Sequence, residues 1–135
     1  MIIKNYMFEA FQNIPAIKKI VEATEISSSL KFKIFKLVKT FVESQESKSF
    51  IETVEAIKLK YAIKDENGNP AVRETEKGSI IDISDLDSYR REMLELYNMD
   101  SGIEIEKIKL TEENIEKFKF STEDMLSLQW LIDFE

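Results

Sequence analysis

Asp65, Asn67, Asn69 and Glu76 stand at the first, third, fifth and twelfth places of the stretch DENGNPAVRETE. Those are the places where an EF-hand loop sets oxygen ligands around calcium. The sixth place decides against that chemistry. It needs a glycine at positive φ, and Pro70 stands there with φ fixed at about −65°. Gly68 falls two residues early. The same residues predict a chain reversal instead, with Asn67 and Gly68 as the two positive-φ residues of a type I′ turn and Pro70 at or beyond a strand edge.

Other carboxylates are the next place to look. Asp82, Asp85 and Asp87 cluster at a predicted helix start, where the dipole favours negative charge. The cluster reads first as structural and second as a partner-binding or cation site. A metal-dependent nuclease of the common type wants an acidic residue followed by Glu-x-Lys on adjacent strands. IEIEK comes near, yet Glu106 is directly beside Lys107 and Glu104 is three residues away. The one Glu-x-Lys, Glu46-Ser47-Lys48, falls in a polar segment of a predicted helix. No phosphate-binding glycine loop is present among three glycines, and no cofactor is expected.

The chain has no histidine and no cysteine. Serine–histidine triads, histidine-based acid–base catalysis, thiolate nucleophiles and zinc–thiolate sites are therefore excluded. The net charge of −7 is unevenly placed: residues 1–60 carry ten lysines against seven glutamates, whereas residues 61–135 carry nineteen carboxylates against nine cations. An acidic second half speaks against direct binding to phosphate backbones and suits a basic protein surface. With no apolar run near the roughly 20 residues of a membrane span and no signal-like opening, a cytoplasmic protein without membrane contact is expected.

The elements that position these groups follow from periodicity. MIIK predicts a short strand, and Asn5 an N-cap for a helix over about 6–24 that Pro15 kinks or divides. Its apolar stripe is Phe8, Phe11, Ile14, Ile17 and Val21. After Ser27–Ser29, Leu30, Ile34, Leu37 and Phe41 give an amphipathic helix whose lysines fall mainly on other faces; it packs on a core, or serves as a partner or membrane-surface element. The apolar register resumes at Phe50, Val54, Ile57 and Tyr61. With no Gly or Pro in 28–63, one long helix with a polar waist at ESQESKS is expected.

Beyond DENGNP come two short extended pieces around Gly78. A helix capped by Ser84 and Asp87 follows, with Leu86, Tyr89, Met93 and Leu96 on its apolar face and Gly102 as its stop. IEIEKIKL reads as one strand over 103–110 with a bulge at Glu106 and Lys107, pairing with residues 1–4. Ser121 and Asp124 cap a last helix docked by Met125, Leu128 and Ile132. The expected fold is α+β, mainly α, in a single domain 1–135: a long and a shorter helix joined by a β-hairpin, a terminal strand pair and a C-terminal helix.

Several of these phrases together resemble a family of small uncharacterised proteins of phages and prophages of Gram-positive bacteria. They are the strand ending in Asn5, the basic helix around KIFKLVK, the helix running into KDENGN, the IEIEKIKL strand and the closing FSTEDMLSLQWLI. None is a catalytic motif, so the resemblance implies context rather than activity: a non-catalytic accessory protein that binds another protein. An inhibitor of a host defence or nucleic-acid enzyme fits the acidic half. The alternative is a tail or baseplate structural or assembly protein, with a virion location and a homo-oligomer built on the long helix. A third class, a carboxylate-bound Mg²⁺ or Mn²⁺ enzyme, ranks last.

Overall fold

The computed structural model describes residues 1–135. The chain runs β1 (Ile2–Lys4), α1 (Tyr6–Asn13), α2 (Ala16–Glu22), α3 (Ser28–Glu43), α4 (Gln45–Tyr61), β2 (Val72–Thr75) and β3 (Gly78–Ile81). It continues through α5 (Leu86–Asn98), β4 (Asp100–Glu104), β5 (Ile108–Leu110), α6 (Glu112–Phe118), α7 (Thr122–Leu128) and β6 (Ile132–Phe134). The fold is α+β and mainly helical.

Pro15 divides the first helical stretch. The residue before a proline is pushed out of the helical region, and Ile14 is extended at ψ 114° while Pro15 itself has helical φ and ψ and leads α2. Asn5 does not cap α1. Its amide reaches instead across the core, donating to the Leu96 carbonyl at 2.9 Å, while its backbone N–H bonds Met99. Ile20, not Val21, completes the buried stripe.

The expected continuous helix over 28–63 is two helices that meet at Ser44. Ser44 is extended (φ −66°, ψ 153°) and its hydroxyl accepts from the Ser47 N–H at 3.1 Å, a serine N-cap hidden inside a polar run. Ser47 is buried, and its hydroxyl donates to the Phe41 carbonyl at 3.0 Å, so a carbonyl freed at the end of α3 finds a partner. Ser27 caps α3 in the same way through the Leu30 N–H.

Phe41 is fully buried at the centre of an aromatic cluster. It stacks on Phe11 with centroids 4.4 Å apart and meets Phe8 and Trp130 edge-on at 6.1 and 5.8 Å. Phe8 also lies 5.9 Å from Phe50. Such pairings add about 0.5–1.5 kcal/mol each beyond area burial. One core cluster of 20 buried residues spans from Ile3 to Ile132.

The strands form three separate pairs. β1 and β4 are antiparallel, with Ile2 opposite Glu104 and Lys4 opposite Asp100. The surplus residues of β4 bulge around Gly102, whose φ of +91° a side chain would resist; this glycine shapes a strand and does not stop α5. β2 and β3 form the hairpin. β5 and β6 are parallel, Ile108 opposite Ile132 and Leu110 opposite Phe134, and the crossover they require carries α6 and α7.

Residues 103–110 are therefore not one bulged strand. The phase change at Glu106 and Lys107 separates two strands that belong to different sheets. The last helix also ends earlier than expected, at Leu128, and Ile132 packs from β6. Its cap is as expected: the Ser121 hydroxyl accepts from the Asp124 N–H and Asp124 accepts from the Ser121 N–H. No helix is long and apolar enough to cross a membrane.

Candidate functional site

Residues 65–87 hold seven carboxylates against two cations, Arg73 and Lys77. The fold gathers them into one arm. Its root is laced by the chain leaving α4, which runs between the two legs. The Ala71 N–H donates to the Ile63 carbonyl at 2.7 Å, the Ile63 N–H to Asp82 at 2.9 Å, and the Ser84 N–H and hydroxyl both donate to Tyr61. Ala62 bridges Ile83 and Lys64 bridges Pro70 on either side.

Above that root the ribbon is in solvent on both faces. Register places Val72 and Ile81 on one face and Arg73 and Ile80 on the other. Val72 is 59% exposed and Ile80 39%, so neither face is laid on the core. A two-stranded ribbon is marginal on its own; here the pinned root holds it. The loop from Thr75 to Gly78 is tightened by the Thr75 hydroxyl, which donates to the Gly78 carbonyl at 2.7 Å.

DENGNP forms a turn at the root, of a different type from the one expected. Asn67 has no positive φ; among the turn residues only Gly68 does, at +79°. The Gly68 N–H donates to the Asp65 carbonyl and the Asp65 N–H to Asn69, which makes a type I turn followed by a left-handed glycine bulge. Asp65 Oδ1 accepts from the N–H groups of both Asn67 and Asn69 at 2.9 and 3.0 Å. The carboxylate that would have bound calcium is spent on organising its own loop. No group of three acidic side chains anywhere in the chain is placed to hold a metal ion.

The three clustered aspartates have separate roles. Asp82 pairs with Arg73 across the ribbon at 3.2 Å. Asp85, not Ser84, caps α5: its carboxylate accepts from the Ser88 N–H, and hydrogen bonding by the Ser88 side chain, then by its backbone, holds its pKa below the ordinary range. Asp87 is exposed in the first helical turn. Of the three, Asp87 alone is left facing outward without a local partner.

Below the arm, α4 and α5 are joined by Lys60, Tyr61 and Glu92. The Tyr61 hydroxyl donates to Glu92 Oε2, and Lys60 Nζ donates to both carboxylate oxygens at 3.0 and 3.1 Å. The hydrogen bond from Tyr61 lowers the Glu92 pKa; the bonds to Glu92 raise those of Tyr61 and Lys60. Nearby, a cleft of about 260 Å³ between α1, α4 and α5 is lined by Phe50, Val54, Met93 and Tyr97, with Glu9 and Lys58 on its rim. Desolvation, with help from Glu9, pushes the Tyr97 phenol up to about 12. All these shifts run away from neutrality, opposite to the tuning a general acid or base needs.

Sequence reasoning passed over the Lys60–Tyr61–Glu92 joint, because Tyr61 was assigned only to an apolar stripe. It also passed over α6, whose end is marked by no glycine: Lys119 takes the left-handed cap at φ +60°. Comparison with known protein families, curated proteins and solved structures returns no match.

Proposed function

We propose that this chain is a non-catalytic accessory protein that binds another protein through the acidic arm of residues 65–87. The observation that carries the reading is the arm itself, pinned at its root and exposed on both faces, with Val72 and Ile80 offered to solvent among carboxylates. Apolar side chains supply burial, and the surrounding negative charge steers the arm to a basic surface.

A basic groove built for nucleic acid is the fitting target, which supports a host defence or nucleic-acid enzyme as the partner of a phage or prophage protein. The assembly alternative loses its motive, since the helix it needed breaks at Ser44.

Glu66, Glu76 and Asp87 are exposed and make no ion pair or side-chain hydrogen bond within the chain, so their joint conversion to Gln, Gln and Asn should leave the fold intact, as an unchanged circular dichroism spectrum would verify. The wild-type protein is expected to capture a nucleic-acid-acting protein from bacterial lysate at low salt, and the triple variant to lose it. Capture that survives both the substitutions and high salt overturns the arm reading. Capture of tail or baseplate proteins replaces it with the assembly one.

A further inference from the structure

Away from the arm, α3 turns an unusual outer face to solvent. Phe32 and Phe35 are 57% and 58% exposed and lie against each other with centroids 6.5 Å apart. Lys36 Nζ sits 4.6 Å over the Phe32 ring and Lys39 Nζ 5.9 Å over Phe35. In a chain with an excess of carboxylates, none of Lys31, Lys33, Lys36 and Lys39 enters any of the seven ion pairs of the protein.

Two hollows flank the ring pair. On one side a cleft of about 380 Å³ opens between α3 and the link from β4 to β5, with Lys33, Lys36, Lys107 and Lys109 on its walls. Glu106 is the one carboxylate there. On the other side a groove of about 270 Å³ between α2 and α3 is lined by Ile20, Val21, Ile26 and Val38, with Lys31 its one charged wall residue. Lys36 belongs both to the cleft and to the ring pair, and Phe35 both to the groove and to the ring pair, so the three features form one continuous surface.

We infer that this face docks an acidic, amphipathic helical segment of a protein partner, its aliphatic side chains in the α2–α3 groove and its carboxylates on the lysines. The charge and the groove select that occupant together. Unpaired ammonium groups ask for carboxylates or phosphates, and desolvating them against a complementary charge gives specificity. A polynucleotide brings no aliphatic group for Val21, Ile26 and Val38, and it meets a chain of net charge −7. An anionic bilayer meets the same repulsion over a far larger surface. Helix-in-groove recognition with apolar anchors on one side and carboxylates on the other fits both hollows. This inference does not depend on the acidic arm, which lies elsewhere in the chain.

The probe is a short fluorescent helical peptide of leucine and glutamate patterned with one apolar and one acidic face, measured by anisotropy against the whole protein. Binding is expected, weakened at least about tenfold when glutamines replace the glutamates, when Lys36 and Lys39 become Glu, or when Phe32 and Phe35 become Ser. All four side chains face solvent, and an unchanged circular dichroism spectrum verifies that these variants fold. Lys58→Glu, on α4, and the arm variant above should bind as the wild type does, which separates failure here from failure of the arm reading. Absence of peptide binding, binding indifferent to the α3 substitutions, or tighter binding of a single-stranded oligonucleotide or of phosphatidylglycerol vesicles overturns the inference. So does light scattering that shows a dimer which the Phe32 and Phe35 substitutions dissociate to monomer.

Discussion

The Ser47 hydroxyl and the Phe41 carbonyl, six residues apart, close the corner between α3 and α4 with a buried bond of 3.0 Å. A helix end inside a protein leaves carbonyls that water cannot reach, and this one is satisfied by the first turn of the next helix. Because Phe41 is also the ring on which Phe8, Phe11 and Trp130 converge, the corner fixes the direction of α4 relative to the aromatic core.

Ser47→Ala therefore removes a donor and strands a buried acceptor. A loss of about 1–2 kcal/mol is expected, seen as a melting temperature lower by about 3–6 °C. A change within error would show that the corner is held by packing alone.

Two left-handed positions should respond in opposite senses. At Gly68, φ +79°, a methyl group meets no atom within 4 Å, so Gly68→Ala tests backbone strain without a clash and should cost about 1–2 kcal/mol. At Lys119, φ +60°, a side chain already bears that strain, so Lys119→Gly should stabilise by about 0.5–1 kcal/mol. Urea titrations of both variants check the pair, and equal signs would refute the conformational argument.

Stability should fall at both ends of the pH scale. The carboxyls of Glu92, Asp85 and Asp124 all lie below their ordinary range in the folded chain; for Asp124 the leading cause is the bond from Lys19 Nζ at 2.6 Å. A lowered folded pKa contributes stability that is complete above the unfolded value, about 4, and is lost as pH drops through the folded one. At the alkaline end, Tyr61 and Tyr97 are raised, Tyr97 to about 12, so the unfolded chain ionises first and stability falls above about pH 10. Urea midpoints measured across the range check both limbs. Asp124→Asn should flatten the acid one and Tyr97→Phe the alkaline one.

The parts read correctly from sequence were those in which one local pattern sufficed. Leu30, Ile34, Leu37 and Phe41 share a helical face whatever surrounds them, and all four are buried. The Ser121–Asp124 capping box is likewise a matter of four adjacent residues. Errors came where a distant partner chose the outcome. ESQESKS reads as exposed helix because Ser44 and Ser47 are polar, yet one is a cap and the other is buried against Phe41. Ile103 and Ile105 belong beside β1, whereas Ile108 and Leu110 belong beside β6, and no local rule separates them. At the arm, Asn67-Gly68 announced a reversal, but its type was set by Asp65, whose carboxylate holds two N–H groups of the loop.

The pairing of β1 with β4 also imposes an order of events on the ribosome. Ile3, wholly enclosed in the finished protein, is made roughly 100 residues ahead of its neighbours across the ladder, Ser101 to Ile103. At about 5–20 residues per second, some 5–20 s pass before those residues exist. For that interval the strand edge and its isoleucines have no native place to go. The helices α1 to α4 can form on their own schedule, but sealing the N-terminal end of the core must wait for the last third of the chain.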